Sequence, residues 1–255
     1  MRIITINGTH KTGKTTTVSA IIKELSKRGF TVGSIKEIHA ESFTLDTPGS
    51  NTYLHRHAGA TMVIARGLTE TDILIPSAID IERILDYFHH DWVICEGVED
   101  ANALKIVTGI SRKDCLDKWD DRVIAVSGVY SNQHKGMLQQ RPIFHPIEDI
   151  EALVDYLIKH VRKRLPSMDD ACCQACNMTC RQLLVHQFLY PDQDLQCVLA
   201  DSDVTVMIDQ KPITMVPFVR QIVKNNMLAI LSELDGYTPH KPISIHINPH
   251  EIKKK

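Results

Sequence analysis

Over its first 165 residues the chain alternates short β-branched apolar runs with stretches whose apolar residues recur at helical spacing, the pattern of a parallel α/β sheet. Arg2–Asn7 (Arg-Ile-Ile-Thr-Ile-Asn) reads as a buried strand. Thr15–Arg28 carries Val18, Ile21, Ile22 and Leu25 on one helical face, and Gly29 stops it. Thr31–Lys36 reads as a second strand and Thr61–Ala65 as a third. Ser77–His89 places Ile79, Ile84, Leu85 and Phe88 on one face, with Ser77 as the N-cap. Asp91–Cys95 and Arg122–Val126 are two more buried strands, and Ile147–Lys163 is a final amphipathic helix. The pattern breaks at Leu165-Pro166-Ser167-Met168-Asp169-Asp170, which predicts one domain over 1–165 and a second over 166–255.

The second part follows another rhythm. A helix is predicted around Arg181–Phe188, and Val204–Ile208 and Pro212–Val216 read as strands joined at Asp209-Gln210-Lys211. Phe218–Leu234 is a periodic helix whose stripe holds Phe218, Val219, Ile222, Val223, Met227, Ile230, Leu231 and Leu234, with Gly236 ending it. Ile243–Ile247 alternates as a last strand. A ββαβ unit this small has a thin core, which a bound metal would reinforce.

Composition changes this picture little. Of 255 residues 43% are hydrophobic and 24% charged, enough apolar content for a sizeable core. A formal net charge of −2 gives no case for nucleic acid or an anionic membrane as partner. No apolar stretch approaches the roughly 20 residues of a membrane span, and the first strand is too short for a signal peptide, so a cytoplasmic location is expected.

The chemistry begins at residues 8–15. Gly8-Thr9-His10-Lys11-Thr12-Gly13-Lys14-Thr15 is a complete G-x-x-x-x-G-K-[ST] phosphate-binding loop, set between a strand and a helix. The glycines let the backbone wrap a phosphate chain, and the helix start offers free N–H groups and a positive dipole end. Gly8 to Thr16 are the expected nucleotide contacts. Lys14 is to reach the β/γ phosphates, and Thr15 is to offer its hydroxyl to Mg²⁺. The strand ending at Cys95 is followed by Glu96, the acid expected to bind Mg²⁺ and, with Lys14, to serve catalysis. The long stretch Lys36–Ala60 carries His39, Asp46, His55, Arg56 and His57. It reads as a switch in which Asp46 senses Mg²⁺ or the γ-phosphate, a histidine metal site being the alternative. No Asn-Lys-x-Asp string reads guanine, so these residues leave GTP and ATP both open.

Five of the seven cysteines crowd into residues 172–197, a density that argues for metal in a cytosolic protein. Cys173-x2-Cys176-x3-Cys180, with Cys197 beyond, supplies four thiolates suited to a [4Fe–4S] cluster, with zinc as the alternative. Cys172 offers a second register. Cys95, inside a strand, reads as a core residue.

Several ordered segments resemble one family. They are the phosphate loop with its helix ending Lys27-Arg28-Gly29, Ile35-Lys36 with His39, and Asp46-x-x-Gly49. His55-Arg56-His57-Ala58-Gly59-Ala60, Cys95-Glu96-Gly97, Lys105-Ile106, the Ile124-Ala125-Val126 strand and the Ile147–Lys159 helix complete the set. Residues 1–165 thereby resemble MobB, the adaptor of molybdopterin-guanine dinucleotide biosynthesis. The chain departs from the family where Ser50-Asn51-Thr52, and not Lys-Asp-Ser, follows Gly49. The cysteine segment resembles a four-cysteine iron–sulfur module, with Asn177 where Gly is usual.

The resemblance implies a phosphate-loop NTPase fold, a mostly parallel sheet with flanking helices, followed by a small α+β metal-binding subdomain. It implies GTP and Mg²⁺ as ligands, slow GTP hydrolysis, a homodimer, and a nucleotidyltransferase or other cofactor-biosynthesis protein as partner. A GTP-driven metallochaperone and a nucleotide-switched binding module are the alternatives.

Overall fold

A computed structural model of the chain describes residues 1–40, 43–165, 176–193, 195–197, 204, 206–208, 211–213, 215, 217–238, 243 and 245. Five parallel strands make the central sheet, in the order β2-β5-β1-β6-β7. They are β1 (Arg2–Asn7), β2 (Val32–Lys36), β5 (Trp92–Glu96), β6 (Leu104–Thr108) and β7 (Val123–Ser127). Every residue of β5, β6 and β7 is buried, as expected of strands covered on both faces. The helix α1 (Lys14–Lys27) follows β1, and α5 (Ile150–His160) packs beside it. Ile21, Leu25, Leu153 and Leu157 pack there against Ile4, Ile94, Ile106 and Ile124 of the sheet. A second cluster joins Ile81 and Leu85 of α3 (Ile81–Leu85) to Ile3, Val93 and Cys95. A third gathers Val107, Val126 and Tyr130 with Cys115 of α4 (Arg112–Asp117). Burial pushes the Cys95 thiol up to about 12 and the Cys115 thiol to about 11, which makes both inert core residues.

Three expectations are corrected. The predicted strand at Thr61–Ala65 is β3 (Val63–Arg66), but it stands outside the sheet and pairs antiparallel with β4 (Thr71–Leu74), a strand not foreseen. Gly67 turns this hairpin, its N–H donating to the Glu70 carbonyl at 2.8 Å. Ile64 and Ile73 face solvent, so the run lacks the two covered faces of a parallel strand. β6 was hidden because Lys105 interrupts its apolar run; the lysine is buried and paired with Asp120 at 2.9 Å. The helix predicted from Ser77 starts later, because the Asp80 carboxylate accepts from the Glu82 N–H at 2.8 Å and caps it there.

A short hairpin of β8 (Met137–Leu138) and β9 (Arg141–Pro142) follows β7. α2 (Asn51–His57) lies within the long segment after β2, capped by Ser50, whose hydroxyl accepts from the Tyr53 N–H. α6 (Cys180–Leu189) opens with a capping box between Thr179 and Gln182. Its Leu183, Leu184 and Phe188 join the core of α1 and α5, and Arg181 pairs with Asp121.

The two compact units therefore divide between Ala200 and Asp201, with the described part of the cysteine segment in the first. In the second unit β10 (Val206–Ile208) pairs antiparallel with β11 (Lys211–Ile213), and α7 (Pro217–Leu231) follows. The apolar stripe of this segment is largely exposed at Phe218, Val219, Ile222, Met227, Ile230 and Leu234. Most of the strand predicted at Ile243–Ile247 lies outside the described residues.

Candidate functional site

β1 is the central strand, and the strands on its two sides carry the chain away in opposite directions, so a crevice opens at its carboxyl end. Residues 8–15 lie in that place. Gly13 is the N-cap of α1 and has no side chain to satisfy the first turn, and no acid stands in that turn. The free N–H groups and dipole are thus left for an anion. Gly8 and Gly128 make the close packing possible. A Cβ on Gly8 would stand 2.3 Å from Thr108 Oγ1, and one on Gly128 would stand 2.2 Å from the Thr12 carbonyl oxygen. Gly128 also holds φ at +77°, a left-handed conformation that favours glycine. The Thr12 hydroxyl is fully buried, donates to the Thr9 carbonyl at 2.9 Å and meets the Thr108 hydroxyl at 2.8 Å. The Val129 N–H donates to the Thr12 carbonyl at 3.0 Å. The turn after β7 and the end of β6 therefore brace the loop, a role for Thr108, Gly128 and Val129 that local sequence does not signal.

Within this frame Lys14 Nζ donates to the carbonyls of Gly8, at 2.9 Å, and Thr9. Burial lowers the Lys14 pKa, Glu96 opposes that shift, and Lys36 and Lys118 add to it. A bound phosphate chain would restore the charge balance. Thr9, His10 and Lys11 are exposed along the outer loop, and Thr16 is exposed in the first turn of α1. The Thr12 side chain is a brace, leaving only its backbone for a ligand.

The strand register brings the acid to the loop. Ile6 is opposite Glu96, and Lys36 is opposite Glu96 on the other side. Thr15 Oγ1 donates to Glu96 Oε1 at 2.7 Å, and Lys36 Nζ donates to the same oxygen at 2.7 Å. Burial pushes the Glu96 carboxyl up, but the hydrogen bonds from Lys36 and Thr15 and the charges of Lys36 and Lys14 outweigh it and hold the group below its usual value. Glu96 is thus an anion. A hydroxyl and a carboxylate at this separation are hard oxygen donors of the type Mg²⁺ takes.

Asp46 has partners of its own. Its carboxylate accepts from Ser50 Oγ at 2.9 Å, Thr52 Oγ1 at 2.8 Å and Arg56 Nη1 at 3.2 Å. Burial raises its pKa, and these three donors with the Arg56 charge lower it further than burial raises it. Asp46 thereby fixes the start of α2 and holds Arg56. Ser50 and Thr52, the residues that depart from the family string, are what hold it.

Cys176, Cys180 and Cys197 all pack in or against the core shared by α1, α5 and α6. Cys172 and Cys173 lie outside the described residues. Among the described residues no three His, Cys, Asp or Glu side chains form a group able to hold a metal, and Cys176 Sγ meets the Met178 carbonyl at 3.5 Å. The described thiols alone do not make a cluster site. No helix of the described residues is long and apolar enough to cross a membrane.

Comparison with known proteins fits this geometry. Residues 3–128 match the model of the family described as molybdopterin guanine dinucleotide synthesis protein B, MobB. A putative molybdopterin-guanine dinucleotide biosynthesis adapter protein of Methanocaldococcus jannaschii is 28% identical over 262 residues, covering 99% of this chain and 100% of the relative. The adapter protein of the same name from Escherichia coli K12 is 29% identical over 164 residues, covering 60% of this chain and 89% of the relative. The crystal structure of Bacillus subtilis MobB superposes with a TM-score of 0.54 at 23% identity, covering 64% of this chain and all of that one, which shows a shared fold.

Proposed function

From the premise that residues 3–128 carry a MobB-type domain, we propose that this protein is a GTP-binding adaptor of molybdopterin guanine dinucleotide biosynthesis. The observation that carries the reading is the braced phosphate loop with Thr15 and Glu96 joined at 2.7 Å beside it. Lys14 and the open first turn of α1 hold the phosphates, and Thr15 and Glu96 hold Mg²⁺. The ion, when bound, neutralises charge on the β and γ phosphates. Hydrolysis by the protein alone is slow, because no arginine stands in a motif that would place it at the γ-phosphate. An arginine supplied to such a site is worth about 10³–10⁵ in rate. Arg56 is tied to Asp46 at 3.2 Å and is not free to act without a rearrangement. Turnover therefore rises when a nucleotidyltransferase of the pathway is added.

The test is titration calorimetry with Mg-GTP and Mg-ATP, on the wild type and on Lys14→Ala. GTP binding that is lost in the variant, with an unchanged circular dichroism spectrum, is expected. Preference for ATP, or fast hydrolysis without a partner, overturns the adaptor reading.

A homodimer is part of this proposal. Support comes from the β3–β4 hairpin, where Ile64 and Ile73 are 55% and 54% exposed and Met62 and Leu68 add to the apolar surface. Light scattering on the eluted protein reads the mass directly. The four-thiolate site of Cys173, Cys176, Cys180 and Cys197 also stays a proposal, supported by the ligand chemistry of four closely spaced thiols. Iron and acid-labile sulfide analysis after anaerobic purification tests it. Zinc without sulfide would keep the ligands and replace the metal.

A further inference from the structure

Glu96 Oε1 has two donors, and one of them is a cation. Lys36 Nζ stands 2.7 Å from the oxygen that also accepts from Thr15 Oγ1 at 2.7 Å. The carboxylate expected to meet Mg²⁺ is thus already paired with a positive charge, and a divalent ion there would compete with the ammonium for it. The two partners differ in freedom. The Glu96 side chain is 9% exposed and fixed at the end of a fully buried strand, whereas the Lys36 side chain is 57% exposed. Lys36 ends the edge strand β2 and has four rotatable bonds, so the lysine is the member of the pair that moves.

Where it would go follows from the charges. Lys36 and Glu96 both act on Lys14, and both lysines act on Glu96, so the three groups share one field at the carboxyl ends of β1, β2 and β5. Were Mg²⁺ held by Thr15 and Glu96, the ammonium would lose its anion and be repelled by the ion. The strongest remaining anion nearby is the terminal phosphate of a bound triphosphate, which lies at the Mg²⁺ end of the chain. A diphosphate has no group there.

We propose that Lys36 is a γ-phosphate sensor: it holds Glu96 in the empty protein and turns to the terminal phosphate when Mg²⁺ takes its place. The inference rests on the nucleotide-binding reading above and assigns a further residue to that same site. β2 leads directly into the segment that carries Asp46 and α2, so the move is also positioned to report the triphosphate state to residues 37–57.

The experiment compares affinities of the full-length protein for Mg²⁺ with GDP and with guanosine 5′-(β,γ-imido)triphosphate, in the wild type, Lys36→Met, Lys36→Arg and Lys14→Ala. Lys36→Met is expected to lower the triphosphate-over-diphosphate preference by about 10-fold or more, the size of one charge-assisted hydrogen bond. Lys36→Arg keeps the charge and is expected to retain part of the preference. Nucleotide-free Lys36→Met is expected to bind Mg²⁺ more tightly than the wild type, because the competing cation is gone. An unchanged preference in Lys36→Met, or unchanged Mg²⁺ affinity of its nucleotide-free form, overturns the proposal. Failure of the wild type to bind either nucleotide would instead sink the parent reading, and Lys14→Ala, which loses both nucleotides, separates the two cases.

Discussion

Glu96 shows how single residues of this site divide their work between binding and folding. Its carboxyl pKa is depressed in the folded chain, so the stabilisation it gives is present above its ordinary value of 4.5 and is lost as pH falls through the lower folded value. The stability advantage of the wild type over Glu96→Gln is therefore expected to hold from neutral pH down to about 4.5 and to vanish in more acid solution. Denaturant melts of the two proteins across that range provide the check, and an advantage that grows toward acid would reverse the sign. Gly128 is a residue of another kind, since its value lies in what it lacks. Gly128→Ala forces a Cβ to within 2.2 Å of the Thr12 carbonyl at a left-handed φ. A loss of about 1–3 kcal/mol of stability is expected, together with weakened nucleotide binding, because the loop must shift. Thermal melts and calorimetry on one preparation measure both.

At the scale of elements, the site depends on a sheet end that helices hold in place. α5 contributes Leu153, Val154 and Leu157, all without solvent exposure, to the core that supports α1. Arg28 at the end of α1 also reaches the Asp155 carboxylate and the Glu151 carbonyl. Leu157→Ala is expected to cost about 2–5 kcal/mol, the range for a fully buried leucine, while leaving the relative affinities for GTP and ATP unchanged. Urea unfolding and nucleotide titration together test this. α6 extends the same core although it comes from the cysteine segment. Its capping box starts the helix locally, but its own stripe is weakly defined, and tertiary burial of Leu183, Leu184 and Phe188 gives it a partner.

For the whole molecule the question is where the first folding unit ends. Residues 180–197 supply Cys180, Leu183, Leu184, Phe188 and Cys197 to the main core. A chain ending at Ala200 is expected to unfold in one cooperative transition and to keep nucleotide binding. A chain ending at Leu165 strips those side chains away and is expected to lose several kcal/mol, since each large apolar truncation is worth about 2–5. Calorimetric melts of the two truncations distinguish the boundaries, and equal stability would favour the division at 165/166 expected from the sequence pattern. The second unit exposes Phe218 and Ile222 of α7 and Met207 and Ile208 of β10.

The phosphate loop, its flanking strand and helix, and the acid at the end of β5 were legible in sequence because each is a local pattern: glycines where the backbone must turn, apolar spacing where it must be buried, and a lysine and a hydroxyl at one fixed step. The family resemblance was legible for the same reason, since ordered short strings carry it. Pairing across the chain was not. The order β2-β5-β1-β6-β7 sets Lys36 and Ile6 on either side of Glu96, and no local string states which strands are neighbours. Lys105 made β6 look polar until Asp120 neutralised it, and no local string tells that Ser50, Thr52 and Arg56 gather around Asp46. A charged group's role depends on which partner the fold brings within hydrogen-bond reach. That distance belongs to the tertiary structure alone.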